Sequence, residues 1–284
     1  MPSMIDRYHL RYFLSVVDTG NFSRAAAACN VSQPTLSVGI ARLEASLGRT
    51  LFNRTNRRVA LTEAGAGLLQ HARTIEAGFA AAERAVTGTA AAPLLRLGVL
   101  TTIPRRWTER WLAARTAGRV EIVEGNARDL RARLARGRID AAVTILHDGD
   151  DRGAGQHLLT EGYTLAIAAT HPLADRASLR AEEVAHEPMI VRRHCERLSD
   201  TSRFFTARGV RPFFPARTTS DDLALSYVRA RTGITVMPEG FRAEGVARVA
   251  LEGFDASRDL GLVFAAHLAP DPALIAGWAE VLDD

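Results

Sequence analysis

The sequence predicts a multi-domain chain: an all-α winged helix-turn-helix head, a long linking helix, and an α/β region behind it. Three observations predict this. The stretch FSRAAAACNVSQPTLSVGIARLEASL (22–47) reads as two helices joined by a tight turn. Positive charge gathers at the front: within residues 1–60, Arg7, Arg11, Arg24, Arg42, Arg49, Arg54, Arg57 and Arg58 face only Asp6, Asp18 and Glu44, a net of +5 in a chain whose total is +4. From residue 94 onward strand and helix patterns alternate, as in a sheet covered by helices.

The first helix is expected over Asp6–Thr19, with Leu10, Phe13, Leu14 and Val17 facing a core and Gly20 ending it. Ser23 is placed to cap the second helix, whose alanines let another helix approach closely. Asn30 falls where the chain turns sharply, and asparagine tolerates positive φ. Ser32 caps the third helix and Pro34 sits in its first turn, where a missing N–H is harmless. Leu36, Ile40, Leu43 and Leu47 form one buried stripe, and Gly48 closes the helix. That leaves Gln33, Thr35, Ser37, Val38 and Arg42 outward, with Ser32 and Pro34 at the start, as the set expected to meet DNA. Gly39 offers no side chain to a base and is expected to cost about 1 kcal/mol relative to alanine. LFNRTNRRVALT (51–62) then reads as a β-hairpin wing. Leu51, Phe52, Val59 and Leu61 point inward, and Asn53, Arg54, Asn56, Arg57 and Arg58 crowd the tip, where arginines fix register on phosphates without reading sequence.

Thr62 caps a long helix from Glu63 to about Thr87. Leu61, Gly65, Leu68, Ala72, Ile75, Phe79, Ala82 and Val86 alternate spacings of four and three, the pattern of a coiled-coil seam that pairs with a second copy. GTAAAP (88–93) is a short linker. Strands at 94–100, 120–125 and 140–146 alternate with helices at 105–117 and 127–137, an order that argues for a mainly parallel sheet. Such sheets bind ligands at the carboxyl ends of their strands, where Thr101, Thr102 and His147 fall. A second series starts near Gly162: strands in YTLAIAAT, EPMIVR, ARTT and GITVMP, helices in SDTSRFFTARG and SDDLALSYVRAR, then the strand DLGLVFAAHL and a last helix, PDPALIAGWAEVL.

Composition removes whole classes of chemistry. All 36 basic residues are arginine, so neither a phosphate-loop lysine nor a Schiff base is available. Cys29 and Cys195 are the only cysteines and make neither a disulfide framework nor a zinc site. A G-x-S-x-G elbow and an H-E-x-x-H helix are missing, and no cofactor is implied. With no apolar run near the length of a membrane span and no signal-like start, the expected compartment is the cytoplasm.

The segment HLRYFLSVVDTGNFSRAAAACNVSQPTLSVGIARLEASLGRTLFNRTNRRVALTEAG resembles the LysR-type transcriptional regulators; AA, VSQP, LS, RLE, LG, LF and LTEAG all stand at that family's spacing. Looser motifs, HPLA and GITVMP among them, extend the resemblance through the chain. It implies a DNA-binding domain (1–62), a dimerising helix and hinge (63–93), and a periplasmic-binding-protein-like effector domain (94–284) of two lobes, one at about 94–161 and 266–284, the other at about 162–265. It implies a homodimer or homotetramer that catalyses no reaction, with promoter DNA, a small-molecule effector and RNA polymerase as partners. Carried onto this sequence, the effector site takes Thr101, Thr102 and His147 with Arg192, Arg193 and His194, a set that favours a small anion.

The family's peroxide-sensing members carry a His-Cys pair on the same loop, which His194 and Cys195 resemble. Arg192, Arg193, His194 and Arg197 are expected to stabilise a thiolate there, making a single-cysteine sensor an alternative reading. No second cysteine lies in this domain, and Phe204 and Phe205 stand where a partner would sit. A further alternative is a small-molecule binding protein whose N-terminal domain only oligomerises. Arg231 stands where the family commonly has glycine, and is either strained at positive φ or reaching the cleft.

Overall fold

A computed structural model describes residues 5–55, 58–87, 94–115, 118–147, 155–266 and 268–282. In the head, α1 (Arg7–Thr19) is capped by Asp6, which accepts from Tyr8 and His9 N–H, and closed by Gly20 at φ 64°. α2 (Phe22–Ala28) is capped not by Ser23 but by Asn21, which accepts the Arg24 N–H at 3.0 Å. The helix starts earlier than expected because Asn21 is already extended and its amide oxygen reaches N3. Asn30 takes φ 55° in the turn. α3 (Gln33–Leu47) begins under the Ser32 cap and ends on Gly48 at φ 63°. The wing is β1 (Phe52–Thr55) with β2 (Arg58–Leu61), and the 25-residue α4 (Glu63–Thr87) opens where Thr62 Oγ1 accepts the Gly65 N–H at 3.0 Å.

Leu10, Phe13, Leu36, Ile40, Leu43, Leu51 and Leu69 share one core. Two glycines allow it to close. A Cβ on Gly39 would sit 2.6 Å from a Tyr12 ring carbon, and one on Gly65 would sit 2.2 Å from the Leu51 carbonyl oxygen. The long stripe on α4 therefore divides rather than forming one seam. Gly65 and Ala72 are buried against the chain's own head, where Leu69 is buried and the expected Leu68 only half-buried, whereas Ile75 and Phe79 remain about 40% exposed.

The α/β region contains β3 (Leu95–Leu100), α5 (Arg105–Ala114), β4 (Val120–Gly125), α6 (Ala127–Ala135), β5 (Ala141–Ile145), β6 (Gly155–Ala168), β7 (Ser178–Leu179), a 3-10 turn (Ala181–Val184) and β8 (Ile190–Arg192). There follow α7 (Leu198–Ala207), β9 (Ala216–Thr218), α8 (Asp221–Arg229), β10 (Thr235–Pro238), β11 (Val246–Leu251), β12 (Ser257–Phe264) and α9 (Pro272–Leu282). One eight-stranded sheet runs β4-β3-β5-β12-β6-β11-β7, with β10 also on β6, and β8 pairs β9 separately. The three strands expected to run parallel do so, β3 beside β4 and β5, but the sheet as a whole is mixed, because β12, β10 and β11 all pair antiparallel with β6.

The 14-residue β6 is what makes two lobes from one sheet. Its first half pairs β12 beside a core of Leu97, Val143, Leu260, Leu262 and Trp278; its second half pairs β10 and β11 over a core of Leu165, Ile167, Val236 and Val249. The last strand and helix return to the first lobe, where Trp278 of α9 stacks on Trp111 of α5 with centroids 5.2 Å apart. β11, VARVAL, has no counterpart among the strands expected from the sequence.

Candidate DNA-binding face and lobe junction

Ser32, Gln33, Pro34, Thr35, Val38 and Arg42 are exposed together on α3, and Ser37 is half-buried. Ser32 and Thr35 hydroxyls lie 2.7 Å apart, and Gln33 Nε2 donates to Ser37 Oγ at 3.0 Å, so the polar side chains are held in a row by local bonds. Val38 is 52% exposed and adds an apolar side chain to this polar row. A shallow groove of about 580 Å³ between α1 and α3 is lined by Tyr8, Tyr12, Thr35, Val38 and Arg42. Tyr8, 64% exposed, is a surface aromatic that sequence reasoning passed over, although it stands off the apolar stripe of its helix. Arg54 and Arg58 lie on the two wing strands, opposite Val59 and Thr55. Arg57 lies outside the described residues.

The junction between the lobes is built around Arg258 of β12, whose side chain is fully buried. Its Nε and Nη2 donate to Glu161 Oε1 at 2.8 and 2.6 Å; Nη1 donates to Glu196 Oε1 at 2.6 Å and to Thr102 Oγ1 at 2.9 Å; Nη2 also reaches the Thr102 carbonyl at 3.0 Å. Glu161 uses its other oxygen to accept the Gly240 N–H at 2.6 Å, and Tyr163 donates its hydroxyl to Glu196 at 2.7 Å. Gly240 is required here, since a Cβ would sit 2.3 Å from the Trp107 ring of α5. Burial opposes the charge on Arg258, but Glu161 and Glu196 outweigh it and push the guanidinium's pKa above its ordinary value; burial likewise opposes the charge on Glu196, and Arg258 prevails and pulls its carboxyl below the ordinary range.

The expected effector residues do not assemble into one open anion site. Thr101 is exposed after β3 and His147 is exposed after β5, on the same edge of the parallel strands. Thr102, by contrast, is buried and engaged by Arg258. Arg192 is not on a solvated loop: it is buried, donates Nε to Asp221 at 2.5 Å and Nη1 to the Val236 carbonyl at 3.3 Å. His194 Nε2 stands 3.1 Å from the same carboxylate. Burial opposes ionisation of Asp221, yet His194 and Arg192 prevail and hold its carboxyl low. Only Arg193 of the three faces solvent.

Cys195 also departs from expectation. Its half-buried thiol is pushed up by burial, with Glu196 adding to the rise, while Arg192 and, through its backbone, Arg197 favour the thiolate without prevailing. They are directed elsewhere: Arg192 to Asp221, and Arg197 to the Ser257 carbonyl and Asp200. Arg231 does take positive φ, 59°, with its side chain exposed. Among the described residues, no group of three acidic, histidine or cysteine side chains is placed to hold a metal, and no helix is long and apolar enough to cross a membrane.

Residues 8–66 match the model of the bacterial regulatory helix-turn-helix protein, lysR family, and residues 89–284 match the LysR substrate binding domain. A probable hydrogen peroxide-inducible genes activator of Mycobacterium avium is 33% identical over 270 residues, covering 90% of this chain and 86% of that protein. The HTH-type transcriptional regulator AlsR of Bacillus subtilis is 30% identical over 248 residues, covering 81% and 79%. In fold, the chain is similar to a full-length OxyR variant from Pseudomonas aeruginosa, with TM-score 0.73 at 24% identity over 98% of this chain and 95% of that one.

Proposed function

Since this chain belongs to the LysR-type family of transcriptional regulators, DNA-binding proteins with an effector-binding domain and not enzymes, we propose that its head reads an operator while the Arg258 junction reports a bound small molecule. Gln33, Thr35, Ser37 and Arg42 read base edges, Val38 meets a thymine methyl, and Ser32 and Pro34 approach a phosphate at the start of α3. Arg54, Arg57 and Arg58 clasp the backbone. The head is 1–62, the linker 63–93 and the effector domain 94–284, with the second lobe between the crossovers on β6 and β12. Exposed Ile75 and Phe79 on α4 pair with a second copy, giving a homodimer or homotetramer that works in the cytoplasm with RNA polymerase as a partner.

One observation carries the effector half of this reading: a fully buried guanidinium holds residues from both lobes by charge. A small anion entering beside exposed Thr101, His147 and Arg193 competes with Glu161 and Glu196 for Arg258, and so binds one lobe arrangement better than another. Gel shifts over a salt series, with and without a panel of small carboxylates, test it. A protein that stays monomeric and ignores DNA at low ionic strength removes the whole reading; one that binds DNA without response to any carboxylate removes only the effector.

The names of the relatives favour a second reading in which the signal is an oxidant. Cys195 thiolate attacks peroxide, the O–O bond breaks, and sulfenic acid forms with release of hydroxide; without a second cysteine in the domain the product is resolved by an external thiol. Mass spectrometry after mild peroxide treatment decides it, since an unmodified Cys195 with unchanged DNA binding ends the idea.

A further inference from the structure

A cavity of about 640 Å³ lies inside the second lobe between α7 and the β8–β9 pair, with Arg192 and Cys195 in its lining, directly behind the Glu196 that holds Arg258. Its volume is that of a small-molecule site, well beyond a packing defect. Met189, Phe205 and Val210 are buried in its wall, with Leu198 of α7 and the partly exposed Phe214, so the lining is mainly apolar; the buried Arg192, whose charge is met by Asp221, and Cys195 also line it. The mouth is different. Ser202 and Thr206 of α7 stand exposed on one side, Arg211 and Arg217 on the other. No aspartate or glutamate lines the cavity, and among the described residues neither Arg211 nor Arg217 has an acidic partner. The Arg217 guanidinium instead lies 5.7 Å from the centre of the Phe214 ring.

An apolar interior closed by two unpaired, weakly hydrated guanidinium groups selects a molecule of the same polarity. We propose that this cavity is a second ligand site, behind the lobe junction and opening on a different face, for an amphipathic monocarboxylate: a hydrocarbon or aryl-alkyl body inside, and the carboxylate at Arg211 and Arg217. An inorganic anion leaves the apolar wall wet, and an uncharged hydrocarbon leaves the arginines without a partner. The site is wired to the rest of the domain, because α7 begins two residues after Glu196, the carboxylate that holds Arg258. A body seated against Leu198 therefore bears on the junction from behind.

The test is calorimetric titration of the full-length protein with decanoate, decanol and acetate below their self-association limits, with 4-phenylbutanoate as the aryl probe. Decanoate or 4-phenylbutanoate is expected to bind one per chain, decanol about tenfold more weakly, the factor expected when one charged group is replaced by a neutral one, and acetate undetectably. The pair of changes Arg211→Ala and Arg217→Ala, both at exposed positions, is expected to make decanoate and decanol equal. Ser202→Trp, which fills the mouth, is expected to abolish both. Failure of both carboxylates to bind, equal binding of decanoate and decanol to the unaltered protein, or undiminished binding to Ser202→Trp overturns the proposal. Gel shifts on the same preparations keep that failure distinct from a failure of the DNA-binding reading.

Discussion

The recognition face and the lobe junction are both polar sites, and they are made in opposite ways. On α3 the polar side chains are exposed and bonded to neighbours three or four residues away. At the junction Arg258 is wholly buried, and its partners lie 62, 97 and 156 residues distant in sequence. Water does most of the work of satisfying the first set; only the fold satisfies the second. A change on α3 should therefore alter what is bound, while a change at the junction should alter whether the domain holds together.

The largest effect follows from Arg258→Met. It leaves Glu161 and Glu196 buried without their cation, and breaking a buried pair by removing one partner costs about 3–5 kcal/mol. Thermal melts should show the effector domain strongly destabilised while the head still shifts DNA. The further change Glu161→Gln in the same chain should restore part of the loss, and a double-mutant cycle measures the coupling. Additive effects of the two changes would break the contrast, because they would mean the junction is no more interdependent than a surface.

Next in size is Gly39→Ala in the head. Helix propensity alone favours alanine there by about 1 kcal/mol. The structure reverses the sign, since the new Cβ meets the Tyr12 ring at 2.6 Å and His9 at 3.0 Å, and overpacking of this kind costs about 1–3 kcal/mol. Arg231→Gly in the second lobe should go the other way, stabilising by about 1 kcal/mol, because Arg231 is exposed and held at φ 59°. Denaturant midpoints for the two variants should move in opposite directions.

These two positions mark where the sequence is legible. Caps, turns and apolar stripes are local, so α1, α3, the wing and α4 fall where spacing puts them, and Asn30 and Gly48 take the positive φ their residue types suit. Ser23 looks like the cap of α2 because Asn21, two positions earlier, offers the same chemistry and nothing local ranks them. The contact that decides Gly39 belongs to α1, which spacing within α3 cannot see. Arg258 is invisible for a stronger reason: SRDLGLVF reads as an ordinary strand, and an arginine on it looks solvated until Glu161 and Thr102 are brought to it. Arg192 and His194 stand out in the sequence, but their shared partner does not, because Asp221, which engages both, lies on another element.

The recognition face supplies the next test. Arg54→Ala with Arg57→Ala should weaken binding to every duplex alike and reduce the slope of log affinity against log salt by about 2, near 0.9 for each phosphate no longer neutralised. Gln33→Ala should leave the slope unchanged and shift preference at one base pair by about 1–3 kcal/mol. Loss of stability in either variant, read by melting, would sink the idea that this face is free of structural duty.

The smallest expected effect is on pH, and it sharpens the comparison most finely. Asp221 and Glu196 are held below their ordinary pKa values in the folded chain, by His194 with Arg192 and by Arg258, against the opposing effect of burial. A carboxylate depressed on folding contributes stability that is fully present above its unfolded pKa, roughly 4 for both, and that disappears as pH falls through the folded value. Stability of the effector domain should thus decline as pH drops below about 5, and Asp221→Asn should flatten part of that decline. The exposed row on α3 contains no such carboxylate, so the head should show no matching acid transition from that face. Parallel acid melts of the full chain, followed by the Trp107, Trp111 and Trp278 fluorescence of the effector domain and by DNA binding for the head, separate the two; if both fail together in the same pH window, the junction is not what sets acid stability.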